Sequence, residues 1–128
     1  MSVGARCWLA IGAVLGFLAV AAGAFGAHAL QDRLALEGAT IYHTAVQYHF
    51  YHALAVLAVG ILMHRAPQRL LHLAGAAFVA GAIAFSGSLY LMAITGWLAV
   101  AMVTPVGGLL FLAGWLLLLA AMVRAPRA

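Results

Sequence analysis

The chain alternates between long apolar runs and short polar interruptions. The first run, Cys7 to Leu30, carries no formal charge and is followed by Asp32, Arg33 and Glu37. The second extends from Thr44 to Met63 and stops at the basic turn His64-Arg65-Ala66-Pro67-Gln68-Arg69. Residues 70–123 contain no Asp, Glu, Lys or Arg. A helix that crosses a bilayer needs roughly 20 mostly apolar residues, so this last stretch must hold two crossings. Thr95-Gly96-Trp97 divides it, combining a β-branched residue, a glycine and an interfacial aromatic. The pattern predicts an all-α polytopic membrane protein. Residues 1–128 form a single membrane domain, a four-transmembrane-helix bundle with helices at about 7–30, 44–63, 71–94 and 98–123. Ala27-His28-Ala29 resembles a signal-peptide cleavage site. The apolar stretch before it is longer than the roughly 7–15 residues of such a leader, so the first helix is expected to be retained.

Composition agrees with this reading. Of 128 residues, 68% are hydrophobic and 6% charged, whereas soluble domains carry about 25% charged residues. Too little polar side chain is present to cover a water-soluble surface, and disorder is excluded on the same ground. The net charge of +4 does not point to nucleic acid. Its arginines are dispersed at the ends of apolar runs and form no stripe that could track phosphates. They act instead as an orientation signal. Arg6, Arg65, Arg69, Arg124 and Arg127 fall on the side of the two termini, and Arg33 alone on the other, beside Asp32 and Glu37. The positive-inside bias predicts an N-in, C-in protein of a bacterial inner (cytoplasmic) membrane, with the lipid bilayer as its first partner. Cys7, the sole cysteine, belongs to no metal or disulfide pattern.

Lipid supplies no hydrophobic drive between helices, so small residues that allow close approach should hold the bundle together. Gly12 and Gly16 form a GxxxG pair, extended by Gly23 and Ala27. Ala74, Ala77, Gly81, Ala84 and Ser88 form a second stripe on the third helix. Leu34, Leu36 and Ile41, interleaved with charges, suggest a short amphipathic piece lying at the interface within residues 31–43.

The polar residues are expected to gather in one layer in the outer half. With the second helix entering at Thr44, His52 lies about 12 Å down. Ser86 and Ser88 on the third helix and Thr104 and Pro105 on the fourth fall at similar depth, and His28 ends the first. Gln47, Tyr48, His49 and Tyr90 lie in the same half. Pro105 inside a helix would remove a backbone bond and crowd the carbonyl of Ala101, and nearby hydroxyls could satisfy the freed groups. Tyr42, Tyr48, Tyr51 and Trp97 read as an interfacial aromatic belt. His64 and His72 read as headgroup-facing. Ser and Thr in membrane helices ordinarily bond their own backbone or a neighbouring helix. An ionisable group inside a span is different, because it is a functional hypothesis by default.

Several classes of function are disfavoured by what the spans lack. Imidazole suits zinc, copper or haem iron, but no carboxylate or thiol completes a ligand shell. The reading therefore assigns no metal and no cofactor, and a haem between His28 and His52 would need a deeper first helix. Proton-coupled export usually relies on an acid inside a span, and none is present. Phe85-Ser86-Gly87-Ser88 is not the G-x-S-x-G elbow of a hydrolase, so no catalytic residue is assigned.

Four segments carry a resemblance to a known family. They are Gly23-Ala24-Phe25-Gly26-Ala27-His28-Ala29-Leu30, Thr44-Ala45-Val46-Gln47-Tyr48 with Tyr51-His52-Ala53-Leu54, Phe85-Ser86-Gly87-Ser88-Leu89-Tyr90, and Thr104-Pro105-Val106-Gly107-Gly108. In this order, across residues 8–121, they resemble the YgdD-like family of small inner-membrane proteins of unknown function. The resemblance implies a four-span inner-membrane protein without an established substrate, reaction or cofactor. The family motifs fall on His28, Tyr48, His52, Ser86, Ser88, Thr104 and Pro105. The expectation is a non-enzymatic accessory or binding component acting through lipid, a partner membrane protein or a second copy. A polar cluster of His28, Gln47, Tyr48, His52, Ser86, Ser88, Thr104 and Pro105 would serve it. The alternative is a small transporter or channel-like protein that uses the cluster as a polar pathway, with a haem- or metal-binding protein behind it.

Overall fold

The computed structural model describes residues 1–30 and 32–124; Gln31 and Arg127 lie outside the described residues. Its elements are α1 (Val3–His28), α2 (Leu36–Arg65), α3 (Arg69–Gly81), a π-helical turn (Ala82–Ser86), α4 (Gly87–Thr95), a 3-10 helix (Leu98–Met102) and α5 (Thr104–Val123). The π turn joins α3 and α4 into one rod, and the 3-10 helix leads into α5. Among the described residues, four helices are long and apolar enough to cross a membrane: Val3–His28, Leu36–Arg65, Arg69–Thr95 and Leu98–Val123.

Local chemistry sets the helix ends and moves several of them from their expected places. Ser2 is extended and its hydroxyl accepts from the Ala5 amide at 3.2 Å, so α1 starts at Val3. The second helix starts at Leu36 rather than near Thr44, with Glu37 in its first turn, where a carboxylate complements the helix dipole. Residues 36–43 are therefore its first two turns, and the expected separate interfacial piece is absent there. Gly96, at φ 70°, takes the left-handed conformation that ends α4. Pro105 also differs from expectation. It occupies the first turn of α5, just after the 3-10 segment, where its missing N–H would have had no intrahelical partner in any case. It starts a helix and does not kink one.

The second and third spans are the more buried pair, and the first and fourth lie on their flanks. α1 packs along α2 in opposed register. Gly12 lies under Leu57 and Gly60 under Leu9; a Cβ on either glycine would come within 2.9 Å of the facing leucine. The predicted GxxxG pair is thus half used, since space beside Gly16 is open to 4 Å. On the third span Ala74, Gly81 and Ser88 are buried, and Ala77 and Ala84 partly so. The fourth span packs on the third through complementary pairs, Phe111 against Gly81 and Phe78 against Gly114. Toward the termini the interior is apolar, built around Val56, Val59, Met63, Leu71 and Phe78.

Candidate functional site

Depth can be read from the register of the first two helices. Gly12 lies level with Leu57, Gly23 with Val46 and Gly26 with Tyr42. Arg6 and His28 bracket the first span over roughly 33 Å at the helical rise. His52, between the Leu57 and Val46 levels, falls near the middle of that span.

His52 is 5% exposed and fully engaged. Its Nδ1 lies 2.7 Å from the Tyr48 carbonyl, and its Nε2 accepts from the Trp115 indole at 3.3 Å. A carbonyl can only accept and an indole N–H only donate, so the arrangement requires the neutral Nδ1–H tautomer. The imidazole stacks on Phe111 at 3.4 Å and 6°. It thereby joins α2 to α5, a role that sequence reasoning missed because neither Phe111 nor Trp115 stood out within an apolar run.

Two other histidine–aromatic bonds link spans. His49 Nδ1 meets the Tyr90 hydroxyl at 3.1 Å, between α2 and α4. The Trp8 indole donates to His72 Nδ1 at 3.0 Å, between α1 and α3. His72, expected to face headgroups, is exposed and through this bond also ties the first span to the third. Tyr42 was expected in the aromatic belt. It is buried, and its hydroxyl donates to the Ala22 carbonyl at 2.6 Å.

The hydroxyls fall into separate local contacts. Ser88 Oγ and Thr104 Oγ1 are 2.6 Å apart and couple the third and fourth spans; Ser88 also donates to the Phe85 carbonyl at 2.9 Å. Ser86, inside the π turn, donates across to the Ala45 carbonyl on α2 at 2.8 Å. π turns inside α-helices are frequent at functional sites. Here the turn sends Ser86 toward α2 and lets the Phe85 backbone meet Gly107 on α5. His28 and Gln47 are exposed. Neither joins the other members, and His28 sits on the order of 15 Å above His52 in depth. No group of three or more His, Cys, Asp or Glu converges among the described residues.

The members that do converge line a groove. Tyr48, Tyr51 and His52 from α2 face Pro105, Gly108, Leu109, Phe111, Leu112 and Trp115 from α5 across Phe85, around an open groove of about 810 Å³. The groove opens sideways at mid-depth, toward what would be lipid. The Tyr48 ring lies 4.7 Å from Phe85 and 6.3 Å from Phe111. Such a volume, with mostly apolar walls and a few polar groups, is typical of a small-molecule site. Of the residues expected in one polar cluster, Tyr48, His52 and Pro105 line this groove, and the rest of its lining is aromatic and aliphatic.

A family model described as "Protein of unknown function (DUF423)" matches residues 22–108. The UPF0382 inner membrane protein YgdD of Escherichia coli is 38% identical over 122 residues, covering 95% of this chain and 93% of that protein. The UPF0382 membrane protein YwdK of Bacillus subtilis is 36% identical over 120 residues, covering 93% and 98%. The UPF0382 membrane protein SH2409 of Staphylococcus haemolyticus is 36% identical over 114 residues, covering 89% and 93%. No solved structure matches.

Proposed function

This chain belongs to the DUF423 family of membrane proteins of unknown function, and we propose that it serves there as a non-enzymatic binding component of the inner membrane. It takes up a hydrophobic molecule sideways from the bilayer into the groove between the second and fourth spans. The groove carries this reading. Its walls are aromatic and aliphatic, it has a hydrogen-bonded histidine at mid-depth and an open lateral mouth. The five arginines on the side of the termini favour an N-in, C-in orientation.

The transporter alternative needs a polar route between the two faces. Phe78, Val56, Val59, Met63 and Leu71, all fully buried, fill the path toward the termini, which favours binding over passage. Gly108 supplies the test. A Cβ there would meet only the Phe85 ring, at 3.9 Å, so Gly108→Leu should fill the groove without parting the helices. Native mass spectrometry of the protein released from nanodiscs should find a bound hydrophobic molecule on the parent chain and lose it in the variant. Equal occupancy in both would remove the groove as the site.

A further inference from the structure

Tyr48 and Tyr51 set a chemical condition on the occupant of the groove. Among the described residues neither phenol has a hydrogen-bond partner, while Tyr42 and Tyr90 both do. Tyr51 is 53% and Tyr48 39% exposed, and at mid-depth that exposure is to hydrocarbon. A hydroxyl left without a partner in such a medium is costly.

The occupant should therefore bring an acceptor atom to the middle of the bilayer. A phospholipid does not meet this condition, because its ester and headgroup oxygens stay at the interface, about 15 Å from the centre of a 30 Å core. Its chains offer only CH₂ groups. A neutral ring bearing carbonyls meets it. His52 and Phe111 are buried and stack on each other, and the rings that the groove leaves open to a flat guest are those of Tyr48, Tyr51 and Trp115. The site volume of about 810 Å³ admits such a ring and the first part of a tail, leaving the rest in lipid.

Resting on the binding role proposed above, we propose that the groove takes a lipophilic quinone, its ring against the aromatic wall and its carbonyls accepting from Tyr48 and Tyr51. His52 is a positioning residue, holding Trp115 and Phe111 in the wall while both its nitrogens stay occupied within the protein.

The test uses the full chain in nanodiscs with two probes of matched tail, a decyl-substituted benzoquinone and decylbenzene. Saturable quenching of tryptophan emission reads quinone binding, since Trp115 lines the groove. Decylbenzene is then tried as a competitor. The expected result is saturable quinone binding that decylbenzene displaces poorly. Tyr51→Phe and Tyr48→Phe should each weaken it about three- to tenfold, the value of one hydrogen bond, and Gly108→Leu should abolish it. Each Tyr→Phe change keeps the ring, so packing against Phe85 is retained. If decylbenzene competes as well as the quinone, or both Tyr→Phe variants bind unchanged, the quinone assignment falls and the hydrophobic groove survives. If neither probe shows saturable binding sensitive to Gly108→Leu, the binding role falls as well. A dimer that Gly108→Leu dissociates would make a second copy the occupant, and would also overturn the assignment.

Discussion

Gly107 and Gly108 are neighbours on α5, and the structure gives them opposite sensitivities. A methyl on Gly107 would fall on the backbone of Phe85, with Cα and Cβ at 2.7 Å. Carbon atoms in contact rest at about 3.5–4.0 Å, so the two spans would have to part by roughly 1 Å. The obstacle is main chain and cannot turn aside. Separation would also loosen the Phe111–Gly81 and Phe78–Gly114 contacts further along the same pair of helices. Overpacking of this kind costs about 1–3 kcal/mol. At Gly108 the same methyl makes an ordinary contact of 3.9 Å.

Both changes gain the same helix propensity, about 0.5–1 kcal/mol for Gly→Ala. The difference between the two alanine variants therefore cancels it and isolates the clash. Gly107→Ala should be less stable than Gly108→Ala by about 2 kcal/mol, a factor of roughly 30 in the folded-to-unfolded ratio. Reversible SDS unfolding in mixed micelles, followed by tryptophan emission, measures that difference. Equal stability of the two variants would refute the close crossing of the third and fourth spans at the π turn.

Further outcomes follow from other contacts. A double-mutant cycle on Ser88→Ala and Thr104→Val should return a coupling of about 0.6 kcal/mol, rising toward 1.7 at most, from their 2.6 Å contact; a coupling of zero in SDS unfolding would deny the pair. Tyr42→Phe removes the bond to the Ala22 carbonyl and should cost about 1 kcal/mol in the same assay, whereas Tyr51→Phe, whose hydroxyl makes no bond within the described residues, should be nearly neutral in the absence of ligand. His52→Ala should lose the stack on Phe111 and the Trp115 bond, destabilising by about 2–4 kcal/mol as for a large buried side chain; a loss below 0.5 kcal/mol would contradict its place in the packing. Reporter fusions at either end should be active only in their cytoplasm-requiring form, and periplasmic activity at both ends would reverse the orientation assigned from the arginines.

The four crossings were legible because a 30 Å apolar slab imposes a run length that composition alone reveals. The start of α2 was not. Leu36, Ala39 and Ile41 sit among Glu37, Gly38, Thr40 and His43, a mixture that reads as interface, and tertiary contact decided in favour of helix. Tyr42 docks on Gly26 and bonds Ala22, which ties those turns to α1. The Ser88–Thr104 contact could be anticipated, since both lie near the same connection. The separation of His28 and Gln47 from the rest could not, because residue spacing gives depth along a helix without giving its rotation toward a neighbour.

The aromatic wall was hidden for a related reason. Phe78, Phe85, Phe111 and Trp115 lie in runs so apolar that no residue stands out by hydropathy, and in lipid an outward phenylalanine and an inward one cost much the same. What turns them inward is the opposing glycine. Gly81 receives Phe111, Gly114 receives Phe78, and Gly107 admits the Phe85 backbone. Large and small residues therefore face each other across the third and fourth spans, and the pairing leaves His52 a flat surface to stack on. A buried imidazole at mid-membrane is tolerable because Trp115 and the Tyr48 carbonyl use both of its nitrogens. With that histidine satisfied internally, the unspent hydrogen-bonding capacity of the groove rests on Tyr48 and Tyr51. A ligand-independent structural role for the groove would make those two hydroxyls dispensable, so their replacement by phenylalanine separates packing from recognition.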